Sequence, residues 1–341
     1  MRSSLLLAAL ILAGAANGSA ASWKPDPEEV FRLTLARPRS AYEGECEVQA
    51  LSGGKTETRI VRVRFAPPDR YRREILDASG KTRMLVVSDG RQEWVYDVRR
   101  AAAWKGAPAD PDYKLQDPDE EVALIRRNYD LRMAGTESVA GRQAAVLEVV
   151  SRRSGKPARK LWVDEDGLVL QRRTFSEDGL ESSWMKFTKV GTLPKAVGFG
   201  FSPPDKVRVL VGRWQPDYME IDEAEAASGV KLRLPAWLPP GYAFESVNVM
   251  PFKGASLLHT RFSDGIDALS LFQYPRDARL RLGWSRLGRP KTLRLGGARA
   301  RLVVTADGKV LEWRTESHRF VLIGPLSVES MRRMAESVQE K

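Results

Sequence analysis

Apolar and polar residues alternate from Arg59 to Phe65, with Val61, Val63 and Phe65 on one side and Arg62 and Arg64 on the other. That two-residue period is the pattern of a strand buried on one face. Pro67-Pro68-Asp69 ends the run, and further strands are predicted at Tyr71–Leu76, Thr82–Val87 and Glu93–Val98. The separators Asp77-Ala78-Ser79-Gly80 and Ser88-Asp89-Gly90 carry the glycine that tight hairpin turns require. Ahead of them, Pro25-Asp26-Pro27-Glu28-Glu29 places proline and acids where a helix starts, and the helix is predicted to run to about Ala36. Asp117-Pro118-Asp119-Glu120-Glu121 opens a second helix, with Arg126 and Arg127 toward its carboxyl end.

A second meander is predicted through Leu131–Glu137, Gln143–Ser151, Lys160–Asp164, Leu168–Phe175 and Ser182–Val190. Hairpins at this short, regular spacing indicate an antiparallel sheet that curls into a partial barrel. The pattern breaks between Phe201 and Gly229, where Pro-rich turns and the acidic, Ala-rich Ile221–Ser228 read as a connector. A second β-rich unit follows, with strands at Leu257–Phe262, Ala268–Tyr274, Ala300–Thr305, Lys309–Thr315 and Arg319–Ile323. It closes on the amphipathic helix Ser327–Val338. The expected fold class is α+β, mostly antiparallel β. Its domains are a curled half-barrel with helices over residues 22–202, a linker over 203–229, and a smaller β-rich domain ending in a helix over 230–341.

The first residues set the compartment. Arg2, the apolar run Leu5–Ala13 and the small residues through Ala21 form the charged, apolar and cleavage regions of a secretory signal, assigned to residues 1–21. The run is too short for the ~20 residues a spanning helix needs. The protein is therefore expected in the periplasm as a soluble chain. Its net charge of +11, from 55 basic against 44 acidic residues, then points to the anionic envelope or an acidic protein segment, with no nucleic-acid partner expected. The single cysteine, Cys46, excludes an internal disulfide, and with two histidines it argues against a zinc site. Cys46 reads as a buried small apolar residue or, being exported, as a thiol that pairs with another chain.

Catalytic signatures are missing: no H-E-x-x-H, G-x-S-x-G, Walker loop or C-x-x-C is present. Asp164-Glu165-Asp166-Gly167 reads as a β-turn, and His259 and His318 as structural residues in strands. No catalytic, cofactor or metal site is expected, so the reading is of a binding protein. Two features suggest binding. Aromatic residues Trp94, Tyr96, Trp162, Phe175, Trp184 and Phe187 recur in the half-barrel strands, where they would line an apolar slot or simply form core. Arginine pairs at Arg72/Arg73, Arg126/Arg127, Arg152/Arg153 and Arg172/Arg173 would attract lipid phosphates or acidic chains if clustered, and are plain solvated surface if scattered.

The order of elements and several stretches resemble the MucB/RseB family of periplasmic sigma-E regulators. The stretches are Tyr129–Gly141 (YDLRMAGTESVAG), Leu161–Arg172 (LWVDEDGLVLQR), Leu238-Pro239-Pro240-Gly241-Tyr242, His259–Gly265 (HTRFSDG) with Leu269–Phe272, and Phe320–Leu326 (FVLIGPL). Val169 stands where the family pattern usually has proline. The resemblance implies an N-terminal domain similar to the LolA/LolB lipoprotein carriers and a C-terminal domain that helps grip the periplasmic part of a membrane anti-sigma factor. It places the partner surface at Arg261, Phe262, Ser263, Asp264 and Gly265. It further implies that the protein shields the anti-sigma factor from proteolysis until a mislocalised lipid, lipoprotein or lipopolysaccharide releases it. The alternative is a lipid or lipoprotein carrier that uses the same half-barrel for transport.

Overall fold

The computed structural model describes residues 25–52, 55–106, 118–193, 207–210, 218–252, 255–278, 290–305 and 308–338. The signal sequence expected at residues 1–21 lies outside the described residues. Helix α1 (Pro27–Leu35) starts as its sequence predicts: the Asp26 carboxylate accepts from the Glu28 N–H at 2.9 Å, and Glu28 and Glu29 occupy the first turn. A meander follows through β1 (Tyr42–Ser52), β2 (Lys55–Ala66), β3 (Arg70–Leu76), β4 (Thr82–Asp89), β5 (Glu93–Asp97) and β6 (Ala102–Gly106). Helix α2 (Pro118–Asn128) leads without a break into a second meander: β7 (Tyr129–Val139), β8 (Arg142–Ser151), β9 (Pro157–Val163), β10 (Val169–Phe175) and β11 (Glu181–Thr192).

Pairing of β1 with β11, Tyr42 opposite Thr192 through Ala50 opposite Ser183, joins the two meanders into one sheet. With β12 (Arg208–Leu210) added parallel to β6, the described strands run in the order β12-β6-β5-β4-β3-β2-β1-β11-β10-β9-β8-β7. The sheet is antiparallel apart from that last pair, and its two ends do not pair with each other. It curls strongly: β7 comes back into contact with β11. Cys46, Val63 and Phe187 share one core with Val139, Ala144, Val146, Trp162 and Leu170 from the far strands. The closeness of this packing is set at Gly44, where a Cβ would lie 2.6 Å from the Lys189 carbonyl and 2.8 Å from the Phe187 ring. On β8 and β9, Ala145, Leu147, Val149, Leu161 and Val163 meet Val30 and Phe31 of α1 and Val122 and Ile125 of α2, forming a second core.

The second sheet begins with β13 (Tyr218–Met219), followed by α3 (Ile221–Ser228), β14 (Ala243–Phe252), β15 (Ala255–Ser263), β16 (Ala268–Pro275), β17 (Lys291–Leu295), β18 (Ala298–Thr305), β19 (Gly308–Arg314), β20 (His318–Gly324) and α4 (Val328–Glu336). The described strands are ordered β13-β14-β15-β16-β20-β19-β18-β17. Met331, Met334, Ala335 and Val338 pack against Phe262, Leu271, Leu311, Trp313 and Phe320. The stretch 203–229, expected as a linker, contributes β12 to the first sheet and β13 and α3 to the second. The acidic, Ala-rich run is thus a helix. The Glu220 N–H donates to the Glu223 side chain at 3.2 Å, and Gly229 in the left-handed region (φ +64°) closes the carboxyl end on the Glu225 carbonyl.

Candidate functional site

The two sheets meet where α2 ends and β7 begins. Asn128, the last residue of α2, donates from one amide to the carbonyls of Gly241 and Asp264, both at 2.9 Å. The adjacent Tyr129 hydroxyl donates to Asp264 Oδ2 at 2.5 Å. Asp264 sits in the turn between β15 and β16, where its other oxygen accepts from the N–H groups of Ile266 at 2.9 Å and Asp267 at 2.7 Å. Arg159 of β9 makes an ion pair with Asp267 across the same joint. Further along, Glu177, in the β10–β11 turn, accepts from the Ser327 N–H at 3.0 Å at the amino end of α4, where a carboxylate complements the exposed N–H groups.

Two glycines set how closely the domains approach. Gly241 (φ +96°) and Gly265 (φ +98°) both occupy backbone space that other residues adopt only under strain. A Cβ on Gly241 would lie 3.1 Å from Asn128 Oδ1, and one on Gly265 would lie 3.0 Å from the Ile125 side chain. Ile266 then packs against the α1–α2 core. Burial and the neighbouring Asp267 charge raise the Asp264 carboxyl to about 6, against the Tyr129 hydrogen bond, which lowers it. Burial, and then the Asp264 charge, push the Tyr129 hydroxyl well above its ordinary value. Tyr242 is raised for the same two reasons.

Two adjoining cavities, of about 310 and 280 Å³, open along this seam and share Tyr129, Ser151, Arg153, Pro240 and Asp264. The larger has Phe175, Pro157, Pro239, Tyr242 and Leu326 on its walls. The smaller gathers Arg127, Arg152 and Arg153. Arg127 from one of the four arginine pairs and both members of another, Arg152 and Arg153, therefore converge on one place, while Arg126 pairs with Glu28 instead.

The residues expected to form the partner surface lie at or beside this joint. Phe262 is buried in the second-sheet core, and Arg261 pairs with Glu245 at 3.3 Å. Ser263 accepts from the Gly265 N–H, while Asp264 and Gly265 are turned onto α2 and Tyr129. The six aromatics expected to line one slot do not come together. Trp162 and Phe187 are packed inside the curl at 3% and 4% exposure. Trp184 donates to Gln49 and Phe175 lines the seam, while Trp94 and Tyr96 lie on β5 toward the other end of the sheet. A trough of about 510 Å³ crosses β1, β2, β3 and β11. Its walls are a charge ladder rather than an apolar sleeve: Arg62 with Glu45 at 3.0 Å, Arg64 with Glu43 at 3.2 Å, and Arg72 with Glu74 at 2.8 Å. Among the described residues, no group of acids, histidines and cysteine is arranged to hold a metal ion.

An open, curled sheet is thus clasped to a second sheet through a buried polar joint. Residues 48–198 match the MucB/RseB N-terminal domain. It is 27% identical over 235 residues to the sigma factor AlgU regulatory protein MucB of Pseudomonas aeruginosa, covering 64% of this chain and 70% of that protein. It is also 23% identical over 186 residues to the uncharacterized protein MJ0687 of Methanocaldococcus jannaschii, covering 54% of this chain. The chain spans about half, 53%, of that archaeal relative's length. A crystal structure of MucB in complex with MucA(peri) shares the fold with a TM-score of 0.56 at 20% identity, covering 93% of this chain and 99% of the other. Among the described residues, no helix is long and apolar enough to cross a membrane.

Proposed function

We propose that this protein is a regulatory binding protein of the periplasm that holds the periplasmic part of a membrane-bound anti-sigma factor and slows its proteolysis. The observation that carries the reading is the likeness in fold over nearly the whole chain to MucB crystallised with MucA(peri). The seam supports it physically. The two sheets are joined by a small set of hydrogen bonds, the Arg159–Asp267 ion pair and the packing of Ile266, so a ligand that prefers one arrangement shifts the population toward it. Release by a lipid or lipopolysaccharide is the regulatory half of the reading, since a ligand that favours the arrangement with lower affinity for the partner expels it. The charge ladder in the trough across β1, β2, β3 and β11 favours this reading over a carrier of acyl chains, which needs an apolar sleeve.

The test is capture from envelope extracts with the tagged mature chain, with lipopolysaccharide micelles added in a second arm. A single-span membrane protein recovered in stoichiometric amount, cut more slowly by protease in the complex and released by the micelles, is the expected result. Failure to recover any such protein overturns the reading. Sequencing the amino terminus of the exported protein checks the compartment: a start at residue 21 or 22 is expected.

A further inference from the structure

The seam holds more positive charge than its acids use. Asp264 is engaged by Tyr129 and two backbone N–H groups, Asp267 by Arg159, and Glu177 by Ser327. Of the cations on the walls, Arg152 is committed to Asp130 at 3.1 Å and to the Tyr129 carbonyl at 3.0 Å. No described acid lies within ion-pair distance of Arg127, Arg153 or Lys156. Their placement is fixed by the fold. Arg127 is in the last turn of α2, next to Asn128, which ties that turn to the second domain. Arg153 is in the β8–β9 turn, whose backbone closes with the Ser151 N–H on the Lys156 carbonyl at 2.9 Å. The Lys156 stem lies over Gly179 of the neighbouring turn, where a Cβ would come within 3.1 Å of it. Three like charges held around one pair of cavities repel one another, and an anionic ligand relieves that repulsion while accepting their hydrogen bonds.

We infer that the seam takes an acidic peptide segment of the partner, with carboxylates on Arg127, Arg153 and Lys156 and an adjoining apolar side chain between Phe175, Pro240 and Tyr242. The inference rests on the proposed function for its occupant. An acyl chain fits less well, because the larger cavity interleaves its apolar wall with Glu177, Asp264 and Asp267, which an acyl chain would desolvate without pairing. An extended peptide alternates polar and apolar groups at that spacing.

The probe is a fluorescein-labelled decapeptide with two glutamates flanking a phenylalanine, compared with the same peptide carrying glutamines, by fluorescence anisotropy on the full mature chain. The seam variant is Arg127→Gln with Arg153→Gln. The control, Arg83→Gln with Arg99→Gln, removes equal charge at a separate cavity on the first sheet. The seam side chains are exposed and without ion partners, so an unchanged melting temperature is expected, and circular dichroism checks it. The glutamate peptide is expected to bind at least about tenfold more tightly than its neutral counterpart. That advantage should vanish in the seam variant and persist in the control. Equal binding of the two peptides, or equal loss in both variants, overturns the inference. So does Arg127- and Arg153-dependent binding of phosphatidylglycerol vesicles without peptide binding, which would assign the cations to a lipid headgroup. The envelope capture separates this inference from the reading it rests on. A membrane protein recovered equally by wild type and seam variant removes the inference alone, whereas no recovery alongside tight peptide binding removes the function.

Discussion

Replacing Tyr129 by phenylalanine deletes one oxygen from the joint and keeps the ring. The hydroxyl donates to a carboxylate oxygen of Asp264 at 2.5 Å, with Asp264 6% exposed. Asp264 Oδ1 retains its two backbone donors, but Oδ2 loses its partner. A hydrogen bond to a charged, buried acceptor contributes about 1.5–3 kcal/mol. At pH 7.5, with Asp264 ionised, the variant should therefore lose about 2 kcal/mol. At pH 4.5, below the raised carboxyl value of about 6, the group is neutral, and the loss should fall to about 1 kcal/mol. Urea unfolding followed by tryptophan fluorescence at the two pH values measures both numbers. Hydrogen exchange should quicken in Asp264–Asp267 and at the start of β7, and change little in the core around Trp162. A loss under about 0.5 kcal/mol, or the same loss at both pH values, would refute the claim that this bond joins the domains through a buried charge.

Four further outcomes follow from the same geometry. Because Asp264 holds its proton more tightly folded than unfolded, its contribution to stability should fall by about 3 kcal/mol as pH rises from about 4 to 6, and Asp264→Asn should remove that slope. His259 has the opposite sign: burial and Arg261 depress its imidazole to about 4, so its contribution is present above its ordinary value and lost as pH falls toward 4, and an NMR titration of its ring protons reads it directly. Gly265→Ala should destabilise by about 1–3 kcal/mol in thermal unfolding, through strain at φ +98° and contact with Ile125. Glu177→Ala should remove about 0.5–1 kcal/mol of support from the start of α4 and lower protection of that helix to hydrogen exchange without shifting the core of the first sheet.

Much of the fold was legible in one dimension because its signals are local. Alternation marked β2, glycine turns marked the hairpins, and Asp26 with Pro27 marked α1. The elements missed have local reasons too. β6 (AAWKG) is short and small, with no β-branched residue to mark it. β14 follows a proline-rich opening that masked its alternation. α3 does carry a local signal, since Gly229 closes the acidic, alanine-rich run as a helix stop. The resemblance was legible for the same reason: its motif residues Gly241, Asp264 and Gly265 are constrained one by one. What they constrain was not legible, because they press against Ile125, Asn128 and Tyr129, more than a hundred residues away.

The sequence by itself determined most of the strands, their turns, the positive charge and the lone cysteine, all carried by residues near one another in the chain. Only the tertiary structure decided which aromatics are core and which arginines act together. How tightly the sheet curls settled the first, burying Trp162 and Phe187 while leaving Phe175 at the seam. The register of β7 on β8 settled the second: Tyr129 stands opposite Ser151, which brings Arg127 to Arg153, while Tyr129 and Arg159 engage Asp264 and Asp267 of the second sheet. Burial and charge pairing depend on what stands opposite a residue across space, and no periodicity along the chain encodes that.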